Sequence, residues 1–152
     1  MVSRFQILLQ GLTNLQTLLA IVKEPALRTP IAISLGAIAG ALSRYYISLW
    51  LSQQFDSSFP YGTLFVNLTG CLAMGFFVTL VFEKIAIVPP EIRLMVAVGF
   101  LGSYTTFSTF KLDTVQLLNN RGAIFAAMYW FGSSILGITN VYLGSMLAQW
   151  LK

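Results

Sequence analysis

Within a membrane-length apolar segment, Gly99-Phe100-Leu101-Gly102-Ser103-Tyr104-Thr105-Thr106-Phe107-Ser108-Thr109-Phe110 sets two glycines and a run of hydroxyls and aromatics where a simple spanning helix would carry Leu, Ile and Val. Such a sequence suits a broken helix, provided the freed backbone is buried in protein or lines water. A break near Gly102 would end one half-helix and start another, with Ser103, Thr105 and Thr106 as caps. Carbonyls turned outward at a break make a site for a hard cation, and the new N-terminus favours an anion. Phe107 and Phe110, three residues apart, share a helix face close to Thr106 and Thr109. The electropositive edge of an aromatic ring can meet a small anion, although taken alone two phenylalanines in a spanning helix describe plain packing.

Two further polar groups fall in apolar surroundings. Asn67, with Gly70 and Cys71 on its face, is costly in hydrocarbon unless its carboxamide finds partners. A structural interhelical hydrogen bond and a place on an aqueous path both meet that need, while Cys71 reads as a small packing residue. Arg44 repeats at four-residue spacing with Gly36 and Gly40, and suits either a pore mouth or snorkelling to the interface beside Tyr45, Tyr46 and Trp50.

The elements that must position these groups follow from composition. Of 152 residues, 57% are apolar and 9% charged, against about 25% charged in a soluble domain. The chain therefore reads as an all-α integral membrane protein in a lipid bilayer. One cysteine and no histidine exclude an intramolecular disulfide, a Cys/His metal site and a His-based triad within one chain. The basic residues are scattered, which argues against nucleic acid as a partner.

Four spans are expected, at about residues 30–50, 62–82, 92–118 and from 123 to Trp150, the third broken near its middle. Residues 30–152 form this four-helix transmembrane domain. Residues 1–29 are an extension in which Leu8, Leu12, Leu15, Leu19 and Val22 mark an amphipathic surface helix, a targeting segment being the rival reading. Tyr129, Ser133, Gly137 and Asn140 form a polar or small stripe along the fourth span. Four helices are too few to surround a roomy pore, so a dimer or larger oligomer is expected.

In order, Gly36-Ala37-Ile38-Ala39-Gly40-Ala41-Leu42-Ser43-Arg44-Tyr45, then Gly62 to Gly70, then Gly99 to Phe110 resemble the CrcB/Fluc family of fluoride channels over about residues 31–150. Thr105-Thr106-Phe107-Ser108-Thr109-Phe110 is the most specific part. The resemblance implies a dimer of two oppositely oriented subunits, two narrow fluoride pathways and a structural sodium ion (Na+) at the centre. By motif, Phe107 and Phe110 would be pore aromatics, Asn67 the carboxamide donor to fluoride, and Gly102 and Thr105 the sodium ligands through backbone carbonyls. Arg44 matches the family's arginine near the vestibule. Tyr129 and Ser133 are spacing-based candidates for pore hydroxyls of the fourth span.

Physical chemistry agrees with this assignment. A fluoride path must replace tightly held water with donors such as Asn67, Ser108, Thr109 and a tyrosine, without a fixed lysine at its centre, and none is expected there. The spans lack a mid-depth Asp, Glu or His for proton coupling, with Lys111 and Asp113 falling towards the end of the third, and no P-loop is present. Passive fluoride export across the cell's inner or plasma membrane, without enzymatic activity, is the economical reading. The alternatives are a proton-coupled small multidrug exporter, which would need a carboxylate where Arg44 stands, and a non-transporting membrane assembly subunit.

Three features depart from the family pattern. Ser103 stands where a second glycine often follows Gly102, and Leu35 replaces one glycine of the usual pair. With a cytoplasmic N-terminus, Arg4, Lys23, Arg28, Lys84, Arg93 and Lys152 lie on that side and Arg121 opposite, whereas dual topology requires near balance. Either residues 1–29 weaken this bias, by cleavage or placement, or the chain pairs with an oppositely oriented paralogue rather than forming a homodimer.

Overall fold

Proline opens three of the helices, because a residue without an N–H loses nothing at a helix start. In the computed structural model, which describes residues 24–55, 58–81 and 88–151, α1 spans Pro25–Gln54 with Pro25 in its first turn. Helix α2 (Tyr61–Thr79) follows Pro60, and α3 (Pro90–Leu94) begins on a proline after Pro89. A π-helical stretch, Met95–Leu101, carries α3 into α4 (Gly102–Tyr104). After an interruption come α5 (Phe107–Arg121) and α6 (Ala123–Trp150). No strand occurs among the described residues. The amphipathic run from Leu8 to Val22 and the loop charges Glu83 and Lys84 lie outside the described residues.

Helices α1, α2 and α6 are each long and apolar enough to cross a membrane. At about 1.5 Å per residue, the 28 residues of α6 reach about 42 Å against a ~30 Å hydrocarbon core. Its ends therefore extend past the core or the helix tilts. The helix that carries the first expected span begins at Pro25, so that Pro30 lies inside it, five residues after the start. The position is tolerated because the ladder bond it removes is in the exposed opening turns, where the Ala26 carbonyl meets solvent or headgroups.

Two glycine seams bring backbones together. On α1, a Cβ at Gly36 would strike the Met95 carbonyl oxygen and one at Gly40 the Phe100 carbonyl oxygen. Gly99 approaches Ile33 from the other side. The second seam joins α2 and α6 reciprocally, Gly75 lying against Val141 and Gly144 against Leu72. Ser145 Oγ donates across it to the Gly75 carbonyl at 3.3 Å. Lipid gives apolar helices no hydrophobic reason to associate, so such close approach and its dispersion energy must hold them. Leu35, adjacent to the first seam, points outward at 59% exposure, so its substitution for glycine leaves the contact untouched. Between α5 and α6 the chain turns on Gly122, whose φ of 91° favours glycine and whose N–H donates to the Leu117 and Leu118 carbonyls.

The second seam predicts that Gly75→Ala destabilises the fold by roughly 1–3 kcal/mol through overpacking, read as a lower thermal midpoint in detergent. Gly132→Ala, at a helical position with nothing within 4 Å, should leave the midpoint unchanged or raise it. Equal midpoints for Gly75→Ala and the parent would count against the seam.

Candidate functional site

The interruption lies at Thr105 and Thr106, whose backbones are extended (φ −89°, ψ 160° and φ −149°, ψ 122°). Gly102, the expected position, is itself helical at φ −63°, so the break falls three residues later. β-Branched threonine fits an extended conformation readily, and the partner that fixes it comes from another helix. Asn67 on α2 accepts from the Thr106 N–H through Oδ1 at 2.8 Å and donates from Nδ2 to the Thr106 carbonyl at 3.0 Å. One carboxamide thus satisfies both backbone groups of the extended residue, and one of its two Nδ2 protons is left over.

The hydroxyls close the ends. Thr106 Oγ1 accepts from the Thr109 N–H at 3.3 Å, capping α5, and donates to Thr109 Oγ1 at 3.0 Å. On the other side of the break Thr105 returns both its N–H and Oγ1 to the Leu101 carbonyl. Tyr104, stacked on Phe100 with ring centroids 5.7 Å apart, shares a 2.9 Å hydrogen bond with Thr69 Oγ1 on α2. Gly70 leaves the space that the Thr105 methyl group fills.

The break leaves the carbonyls of Gly102, Ser103, Tyr104 and Thr105 without their ladder donors, and for two of them the hydrogen bonds above show where the donor has gone. In an unbroken helix the Thr106 N–H would serve Gly102 and the Thr109 N–H would serve Thr105. Asn67 and the Thr106 hydroxyl take those donors instead, so the Gly102 and Thr105 oxygens lose their ladder partners. Neutral oxygens of this kind suit a hard monovalent or divalent cation, and no Cys, Asp or Glu cluster able to hold a metal occurs among the described residues.

Below the break lies a cavity of about 430 Å³, open on one side and lined by Asn67, Thr106, Phe107, Phe110 and Ser133 among others. The fold therefore gathers five positions from three helices. Ser133 Oγ is buried there without a hydrogen-bond partner, and so offers a donor to whatever enters. Phe110 is 7% exposed and packs on Tyr129, centroids 5.2 Å apart, while Phe107 is 73% exposed on the single subunit. The two phenylalanine centroids are 6.3 Å apart.

Other expected residues fall elsewhere. Tyr129 lines neither this cavity nor a second, polar one of about 290 Å³ that includes Ser48, Thr63, Asp113 and Gln116. It stands between the two, its ring also 5.6 Å from Phe59 and its hydroxyl donating to Asp113 Oδ2 at 3.4 Å. Ser108 and Thr109 are exposed on the first turn of α5. Arg44 is half-buried on α1 and lines neither cavity.

Lys111 was not expected here. Rather than sitting apart from the aromatic pair towards the span's end, its ammonium lies over Phe107 and Phe110, 4.8 and 4.9 Å from their centroids, and 4.7 Å from that of Trp130. The spacing carried a signal: Lys111 is four residues after Phe107, one helical turn, which places it beside that ring.

Residues 31–145 match the model of the CrcB-like protein family, also described as Camphor Resistance (CrcB). A fluoride-specific ion channel, FluC, from Trichormus variabilis is 59% identical over 127 residues, covering 84% of this chain and 93% of the relative. Its Synechococcus namesake is 53% identical over 126 residues, covering 83% and 96%. A Synechocystis protein of the same name is 45% identical over 124 residues, covering 82% and 95%.

Asn67→Ala would strand the N–H and carbonyl of Thr106 at the break. Each orphaned buried group costs about 1–3 kcal/mol, so a lower thermal midpoint and faster hydrogen exchange at the Thr106 amide are expected. Unaltered exchange would show that the carboxamide does not hold the break.

Proposed function

The chain belongs to the CrcB family, and we propose that it is a passive, fluoride-selective channel of the plasma membrane that lets fluoride leave the cell and so relieves its toxicity. The carrying observation is the aromatic cavity below the break, placed on a chain 59% identical to a relative named for fluoride conduction. Fluoride gives up strongly held water only to dense, well-placed donors. The spare Asn67 N–H and the unpartnered Ser133 hydroxyl supply two, and the N-terminus of α5 adds its positive dipole end. Phe107 and Phe110 add their electropositive edges to the lining of this cavity, which is open on one side in the single subunit. Beyond Phe110, Tyr129 connects it to the polar cavity at Asp113, which serves as the vestibule. Arg44 supports entry from another side of the subunit.

The subunit reads as four spans, with α3 to α5 together forming the broken third. A dimer follows from two features. Phe107 is too exposed to bound a water-excluding path alone, and the two carbonyl oxygens of one subunit are too few to enclose a cation. Gly102 and Thr105 of two subunits would hold a structural sodium ion between them, supplying a fixed charge that ties the breaks together. The partner is a second copy or an oppositely oriented paralogue, and labelling of loop cysteines from both membrane faces, after replacement of Cys71, distinguishes dual from fixed orientation.

Purified protein in liposomes should release fluoride to an electrode without a proton gradient. Absence of flux from well-folded, reconstituted protein would overturn the reading for the homo-oligomer. Phe110→Ile should lower that flux at least tenfold while the dimer persists, since an aliphatic side chain has no electropositive edge. Exchange of sodium for a bulky organic cation should abolish flux without unfolding the subunits; flux that survives would remove the ion from the proposal.

A further inference from the structure

We propose that Lys111 is a positioning and field-setting residue of the fluoride path, acting through the two phenylalanine rings. The inference rests on the fluoride reading above. Its ammonium is half-buried and lies within 4.9 Å of three ring centroids, those of Phe107, Phe110 and Trp130. A cation is drawn to the electron-rich face of a ring, so this arrangement occupies one face of each phenylalanine that lines the cavity. Two consequences follow for an anion there.

The first is orientation. Phe107, exposed at 73%, has few packing neighbours within the subunit to hold its ring, and the Lys111 contact fixes which face it turns away from the cavity. The second is potential. A fixed positive charge behind the rings, in surroundings of low dielectric, draws electron density towards the occupied faces and makes the edges more electropositive. It also attracts fluoride to the cavity without coordinating it, since Lys111 does not line the cavity itself. A charge in direct contact would hold the ion; one screened by aromatic rings raises occupancy and still permits departure.

The nearest carboxylate along α5, Asp113, is turned to the other side, where it meets Tyr129 and lines the second cavity. Among the described residues, no carboxylate therefore meets the Lys111 charge at the rings. Trp130 of α6 provides the third aromatic contact of the ammonium.

The test is fluoride efflux from liposomes over a range of internal fluoride concentrations, at low and at high potassium gluconate, for the parent, Lys111→Met and Lys111→Arg. The expected result for Lys111→Met is a half-saturating fluoride concentration raised roughly threefold to tenfold at low salt, the difference shrinking at high salt. Arginine, which keeps the charge and stacks on rings, should restore the parent value. An unchanged half-saturation in folded Lys111→Met would overturn the proposal. So would a change that ignores salt and is not rescued by arginine, which marks a packing role. A parent protein without flux would instead defeat the fluoride reading itself, whereas a conducting parent with indifferent variants defeats this inference alone.

Discussion

Two hydrogen bonds between the Asn67 carboxamide and the backbone of Thr106 govern the middle of this molecule. A polypeptide at membrane depth must satisfy every N–H and C=O internally, because no water is there to do so and each failure costs several kcal/mol. An extended residue between two half-helices violates that requirement unless a side chain stands in for the missing ladder. Asn67 matches both groups at once, an acceptor for the amide and a donor for the carbonyl. The same bonds deprive Gly102 and Thr105 of their usual donors, so the repair at one point exposes oxygens at another. Carbonyl oxygens without ladder donors and a spare carboxamide N–H therefore lie close together because one ladder is rerouted.

The glycine seams make this arrangement rigid. Gly36, Gly40 and Gly99 lock α1 to the π-helical stretch leading into the break, and Gly75 with Gly144 locks α2 to α6. Asn67 belongs to the second pair and Thr106 follows the first. The carboxamide, with the Tyr104–Thr69 hydrogen bond, is a polar link between two close-packed units whose own cohesion comes mainly from dispersion, helped in the second by the Ser145 bond to Gly75. A wide π-helical turn just before the break also shifts the register of everything after it, which brings Tyr104 onto Thr69.

Much of this was legible in the residues. Apolar length gave α1, α2 and α6, and Gly122 stands where α5 ends. Glycines and hydroxyls in Gly99 to Phe110 announced that a regular helix would not survive. Its place was harder to see, because a glycine is free to break a helix but does so only where another element rewards it. That reward, Asn67, is 39 residues away in sequence, and no local rule measures such a distance. Pro30 lies inside α1 for the complementary reason: a residue that can interrupt a helix is tolerated in its exposed opening turns. Lys111 was discounted by its position along the span, although side-chain length lets an ammonium reach back one turn to the rings.

The long separation between Asn67 and Thr106 also constrains the order in which the subunit can be assembled during synthesis. Half-helices around the break are individually short, and the extended pair between them carries polar backbone that hydrocarbon will not accept. They reach their native bonding only after α2 is already in place to receive them. The third segment thus depends for its final bonding on a template made earlier in translation, and Asn67 serves the chain's own assembly before anything else.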